Sequence, residues 1–118
     1  MTELKIEQQP LGDRNDAFVV APQGPIRARA AEQFREYVDR LLNGEGATGL
    51  VIDMTGVEYI DSSTAGYLLN VHDRLRTRGG VLALAELTPG VRVVIDSIGL
   101  TTFFTVCETV EEAALEVG

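Results

Sequence analysis

The sequence predicts an α/β domain with a mixed, mostly parallel sheet of about four to five strands and four helices, in the order β β α β α β α β α. Three observations carry it. Short apolar runs alternate three times with segments of helical spacing, a pattern that requires parallel pairing through right-handed crossovers after an antiparallel start. Leu50, Val51 and Ile52 form an unbroken apolar run, which suits a strand covered on more than one side. A length of 118 residues with 45% hydrophobic content matches a single domain over residues 1–118, large enough to bury a core.

Leu4 to Gln8 alternates as a half-exposed strand, and Pro10, Gly12, Asp13 and Asn15 supply a turn. Ala17 to Ala21 is a second strand, broken by Pro22, Gly24 and Pro25. From Arg27 to Leu42 the period lengthens. Ala30, Phe34, Val38 and Leu41 share one helical face, Glu36 and Arg40 pair on the other, and Asn43 with Gly44 ends the helix. The strand around Val51 follows, then a turn, then a helix over roughly Thr64–Arg78 with Ala65, Leu68, Leu69, Val71 and Leu75 at helical spacing. Arg74, Arg76 and Arg78 suit the negative end of its dipole, and Gly79 with Gly80 stops it. Val81 to Leu87 is the next strand. Thr88 then serves as N-cap with Pro89 at the first helical position, and Val91, Val94, Ile95 and Ile98 make a buried stripe before Gly99. Phe103 to Cys107 is the final strand, and Thr109 with Glu112 forms a capping box for a helix carrying Ala113, Ala114 and Leu115.

Charge narrows the partners. With 18 acidic against 10 basic residues the formal charge is -8, which repels nucleic acid and anionic lipid surfaces and favours protein partners. The single Cys107 excludes an internal disulfide and a cysteine-based metal cluster, and reads as a small core residue. No basic region precedes an apolar core in MTELKIEQQP and no apolar run approaches the ~20 residues of a bilayer span, so the expected location is the cytoplasm.

Candidate chemistry concentrates between Gly49 and Gly66, where Asp61, Ser62, Ser63 and Thr64 stand at the mouth of a helix. Unpaired N–H groups and the positive end of the dipole meet there, so the position suits a side-chain oxygen or an added phosphate. One cap needs one hydroxyl; here several stand together, and the small Ala65 and Gly66 leave backbone open to a large partner. A receiver-type phosphoryl site is disfavoured, because Asp53 and Asp61 lack the acid cluster and late lysine it needs; the only lysine is Lys5. A serine hydrolase is disfavoured too, since the lone His72 lies well along the helix from Ser62 and Ser63. No phosphate-binding glycine loop or nucleophile elbow occurs. Tyr37, Tyr59, Tyr67 and the phenylalanines read as core or core-edge residues.

Ile60-Asp61-Ser62-Ser63-Thr64-Ala65-Gly66 resembles the STAS domains, and within them the bacterial anti-sigma factor antagonists, in which an apolar strand end is followed by Asp-Ser-Ser or Asp-Ser-Thr, a small residue and glycine. Arg78-Gly79-Gly80-Val81-Leu82, and Thr88-Pro89-Gly90-Val91 through Ile98-Gly99-Leu100, resemble the family's next strand and helix. The sequence departs from the family at Thr64 and Ala65, where glycine and a larger aliphatic residue are frequent, and at Gly24-Pro25-Ile26-Arg27, which lacks an acid common in antagonists. The resemblance implies a STAS-like fold and a transcription regulator that is not an enzyme and needs no cofactor or metal. It implies that Ser62 accepts a phosphate from an anti-sigma factor serine kinase and loses it to a serine phosphatase. Asp61, Ser63, Thr64 and Gly66 would shape the partner contact, with Gly24 and Arg27 nearby; a homodimer is left open. The alternative is a non-enzymatic STAS subunit of a stress-signalling scaffold or lipid-transport assembly, and a third reading is nucleotide binding at the same helix mouth.

Overall fold

A computed structural model describes residues 3–99 and 101–117; Leu100, within one of the motifs above, lies outside the described residues. The elements are β1 (Lys5–Pro10), β2 (Ala17–Gln23), α1 (Ala28–Asn43), β3 (Gly49–Asp53), α2 (Ser62–Thr77), β4 (Val81–Ala85), α3 (Pro89–Ser97), β5 (Thr105–Cys107) and α4 (Val110–Val117). The five strands lie in sequence order, β1 antiparallel to β2 and all later pairs parallel. This is the β β α β α β α β α arrangement that the sequence predicts.

Strand periodicity divides the core. On one face Phe18, Val20, Leu50, Ile52, Leu82 and Leu84 pack with Phe34 and Val38 of α1, Leu68 and Leu75 of α2, and Val91 and Ile95 of α3. Alternate residues, Ala17, Val19, Val51, Ala83 and Ala85, face the other way and pack with Ala113 of α4. The size contrast sets the layer spacing: short side chains let α4 come so close that a Cβ on Gly49 would sit 2.5 Å from Val117 Cγ1.

Of the three prolines read as a turn or a strand break, Pro25 lies in a loop, whereas Pro10 and Pro22 are strand residues, and the register explains why. Leu11 donates its N–H to the Ala17 carbonyl at 2.9 Å, so Pro10, one residue back and opposite Phe18, turns its nitrogen to the open edge of the sheet. Pro22 is tolerated because pairing of β2 with β3 ends at Val20.

Further differences are local. The Glu36–Arg40 pair does not form among the described residues; the Arg40 guanidinium lies over the Tyr37 ring, 5.8 Å from its centroid. Thr88 is the N-cap of α3, yet its hydroxyl donates to the Val57 carbonyl at 2.6 Å instead of capping. Half of the expected capping box is present: Glu112 N–H donates to Thr109 Oγ1, while the Glu112 carboxylate takes the N–H of Glu108. Ile98, Tyr59 and Phe103, expected in or beside the core, are exposed.

Candidate functional site

Helix α2 begins at Ser62, two residues before the sequence pattern places it, with Asp61 as its N-cap in extended conformation. Polar residues at the first three positions hide the apolar period there. One oxygen of Asp61 organises the turn: Oδ1 accepts the Thr64 N–H at 2.8 Å, the Thr64 hydroxyl at 2.6 Å and the Ser63 hydroxyl at 3.0 Å. Desolvation by itself raises the Asp61 carboxyl pKa. Donors from Thr64, Ser63 and the Ala28 N–H outweigh it and hold the group below the ordinary value of 3.8.

These bonds separate the three hydroxyls. Thr64 is fully buried, so its side chain positions Asp61 and is not available for the direct partner contact expected of it. Ser63 is exposed but bonded to Asp61. Ser62 is exposed and its hydroxyl has no hydrogen-bond partner among the described residues. Gly66, one turn further along, is exposed, with nothing within 4 Å of where a Cβ would stand.

The structure also brings Gly24 and Arg27 to this site, through contacts that pattern reading missed. Gly24 N–H donates to the Gly56 carbonyl at 2.9 Å, Ile26 N–H to Tyr59 at 2.8 Å, and Asp61 N–H to Ile26 at 3.1 Å, making an isolated parallel bridge between Ile26 and Ile60. Ile26 and Ile60, both fully buried, anchor the two loops from beneath. Their isolated apolar character amid polar neighbours was the available signal. The next residue but one, Ala28, has a positive φ of 51°, a left-handed conformation that costs a non-glycine residue about 1 kcal/mol or more.

Behind the site, α1 and α2 are clamped. Asp39 accepts from the Tyr67 hydroxyl at 2.6 Å and pairs with Arg74 at 2.8 Å, while Arg78 reaches back to the Leu42 and Ala47 carbonyls at 2.6 and 2.9 Å. Burial and the Asp39 carboxylate push the Tyr67 phenol far above its ordinary range, so it stays a donor. The clamp fixes the axis of α2, and with it the direction in which Ser62 is presented.

His72 rests edge-on against Phe104, with ring centroids 6.3 Å apart, and lies about 15 Å along the helix axis from Ser62. It cannot serve as its base. Cys107 is half-buried; desolvation, with Glu116 and Glu112 beside it, raises its thiol pKa and disfavours the thiolate. Among the described residues no cluster of three or more His, Cys, Asp or Glu side chains is placed to hold a metal, and no helix is long and apolar enough to cross a membrane. A polar cleft of about 360 Å³, lined in part by Glu7, Gln23, Asp53 and Thr55, shares no residue with the Ser62 site.

Comparison with known proteins bears on the family and the fold. BtrV of Bordetella bronchiseptica, assigned as an anti-sigma factor antagonist, is 32% identical over 103 residues, covering 86% of this chain and 88% of its own. The crystal structure of a Thermotoga maritima protein with the same assignment superposes with a TM-score of 0.83 at 22% identity, covering 95% of this chain and 93% of that one. The anti-sigma factor antagonist SpoIIAA superposes in its unphosphorylated form with a TM-score of 0.77 at 22% identity, covering 96% and 93%, and in its phosphorylated form with 0.70. At such identities the structural likenesses bear on the fold alone. The STAS domain model matches residues 10–113, nearly the whole described length, and the chain belongs to the STAS domain family.

Proposed function

We propose that this STAS domain is an anti-sigma factor antagonist that docks on a kinase-type anti-sigma factor while Ser62 is free and is released when Ser62 is phosphorylated. It acts as substrate and docking module, not as a catalyst; a serine phosphatase resets it, in the bacterial cytoplasm. One observation carries the reading: in a run of three hydroxyls, only that of Ser62 is both exposed and uncommitted. The kinship with BtrV adds support.

The switch is electrostatic. A phosphate adds about two negative charges at the first turn of α2, where the helix dipole and free N–H groups tolerate it, so the fold persists. The docking face gains negative charge. Because the Asp61 side chain is held by Thr64 and its N–H by the Ile26 carbonyl of the other loop, the platform beneath Ser62 has little freedom to rearrange, and repulsion falls on the partner.

The test is incubation with the cognate kinase and ATP, followed by mass spectrometry and binding measurements. One phosphate on Ser62 and at least tenfold weaker binding of Ser62→Asp are expected. Phosphate elsewhere, or Ser62→Asp binding as tightly as the unmodified protein, overturns the reading.

A further inference from the structure

Five of the nine arginines have partners: Arg14, Arg74 and Arg76 are paired with carboxylates, Arg78 donates to two carbonyls, and Arg40 covers the Tyr37 ring. Arg27, Arg29, Arg35 and Arg92 have no carboxylate within ion-pair distance among the described residues, and of these four Arg27 and Arg29, both exposed, stand together. Both line a groove of about 310 Å³ whose apolar surface comes from Leu4, Pro25 and Ala30, with Glu3 the one carboxylate on its wall.

That groove adjoins the Ser62 site through the loop that carries Arg27. Arg27 follows Ile26, whose carbonyl accepts the Asp61 N–H and which pairs with Ile60 in the parallel bridge. Paired backbones of this kind run about 5 Å apart, so Arg27 stands beside Asp61 and Ser62.

We propose that the groove receives an acidic segment of the partner protein, one that sets an apolar side chain against Leu4, Pro25 and Ala30 and carboxylates against Arg27 and Arg29. The inference rests on the docking role proposed for Ser62 and names the chemistry of what docks there.

Charge complementarity selects this occupant. With a formal charge of -8, the chain repels acidic segments over most of its surface, so two uncommitted guanidinium groups beside an apolar floor mark one place where such a segment is attracted. Guanidinium groups also bind carboxylates through paired N–H donors, which fixes orientation. A basic segment would instead find its favourable surface elsewhere on this acidic protein and meet repulsion here. The arrangement connects the groove to the switch. Phosphate on Ser62 would lie within the ~8–10 Å over which charges interact at physiological salt, occupying the field of the two arginines and repelling the partner's carboxylates.

The experiment titrates the full chain with its kinase-type anti-sigma factor at low and high salt, comparing wild type, R27E/R29E and R27K/R29K, and maps a photo-crosslink from a benzophenone side chain placed at position 25. Thermal melts confirm that each variant is folded. The charge reversal is expected to weaken binding at least thirtyfold and flatten its salt dependence, the lysine pair to restore most of the affinity, and the crosslink to fall in a partner segment rich in Asp and Glu. Reversal variants that bind within twofold of wild type, a crosslink in a basic segment, or a crosslink to a second copy of this chain overturns the proposal. Failure of the Ser62 reading is recognised separately, as no binding by the wild type or undiminished binding by Ser62→Asp.

Discussion

Asp61 Oδ1 receives both the backbone N–H and the hydroxyl of Thr64, at 2.8 and 2.6 Å, so the first turn of α2 is closed from inside and Ser62, lying between them in sequence, is left facing out. Cap and proposed switch are thus neighbouring residues with separate tasks.

Asp61→Ala should destabilise the protein by about 1–2 kcal/mol, the usual cost of losing an N-cap. Ser62→Ala removes a hydroxyl with no partner and should change stability by less than about 0.5 kcal/mol while abolishing phosphate incorporation. Urea unfolding of the two variants side by side checks the division of labour.

The acid limb of the stability curve carries the same signature. Burial pulls the Asp61 and Asp39 carboxyl pKa values upward, but hydrogen bonds, from Thr64 for Asp61 and from Tyr67 and Arg74 for Asp39, leave both below 3.8. A carboxyl whose folded pKa lies under its unfolded one stabilises the fold above the unfolded value, and that contribution disappears as pH falls through the folded value. Stability should therefore drop below about pH 4, and the drop should be shallower in Asp61→Asn and Asp39→Asn, as followed by denaturant unfolding across pH.

Gly66→Ala separates folding from docking. A Cβ there meets nothing within 4 Å, and alanine inside a helix is favoured over glycine by about 1 kcal/mol, so the melting temperature should rise. Affinity for the anti-sigma factor should fall, because the added methyl would stand on the proposed docking face. Gly90→Ala should do the reverse to the fold: its Cβ would lie 2.0 Å from the Glu58 carbonyl oxygen, and loss of soluble protein or of several degrees in melting temperature is expected.

Ala28→Gly should stabilise by about 0.5–1 kcal/mol, since glycine adopts a φ of 51° without the left-handed penalty. Thermal unfolding gives the sign directly.

The architecture was legible because β3 and β4 present apolar residues on both faces and the glycines at 79 and 99 punctuate the chain where the backbone turns left-handed. The start of α2 was not, because Ser62 and Ser63 carry no apolar period, and helix membership there is decided by Asp61 as acceptor. Pro10 and Pro22 misled for a related reason: a proline breaks a strand only where its nitrogen must donate, and that depends on register, which one strand alone does not reveal. Asp61 and Ser62 stood out as residues. That Arg27 is near them came only from the family resemblance and not from the residue pattern, since the connection runs through a single bridge between Ile26 and Ile60, residues far apart in the chain.

The outward nitrogen of Pro10 has a consequence for self-association. β1 is an outer strand, and there Lys5 and Glu7 add charge to a border already short of one donor. A sixth strand from a neighbouring molecule would find this margin inhospitable, and the margin at β5 offers only three residues. Growth of the sheet from copy to copy is discouraged at both ends, so the domain is protected from the polymerisation that open β-structure invites.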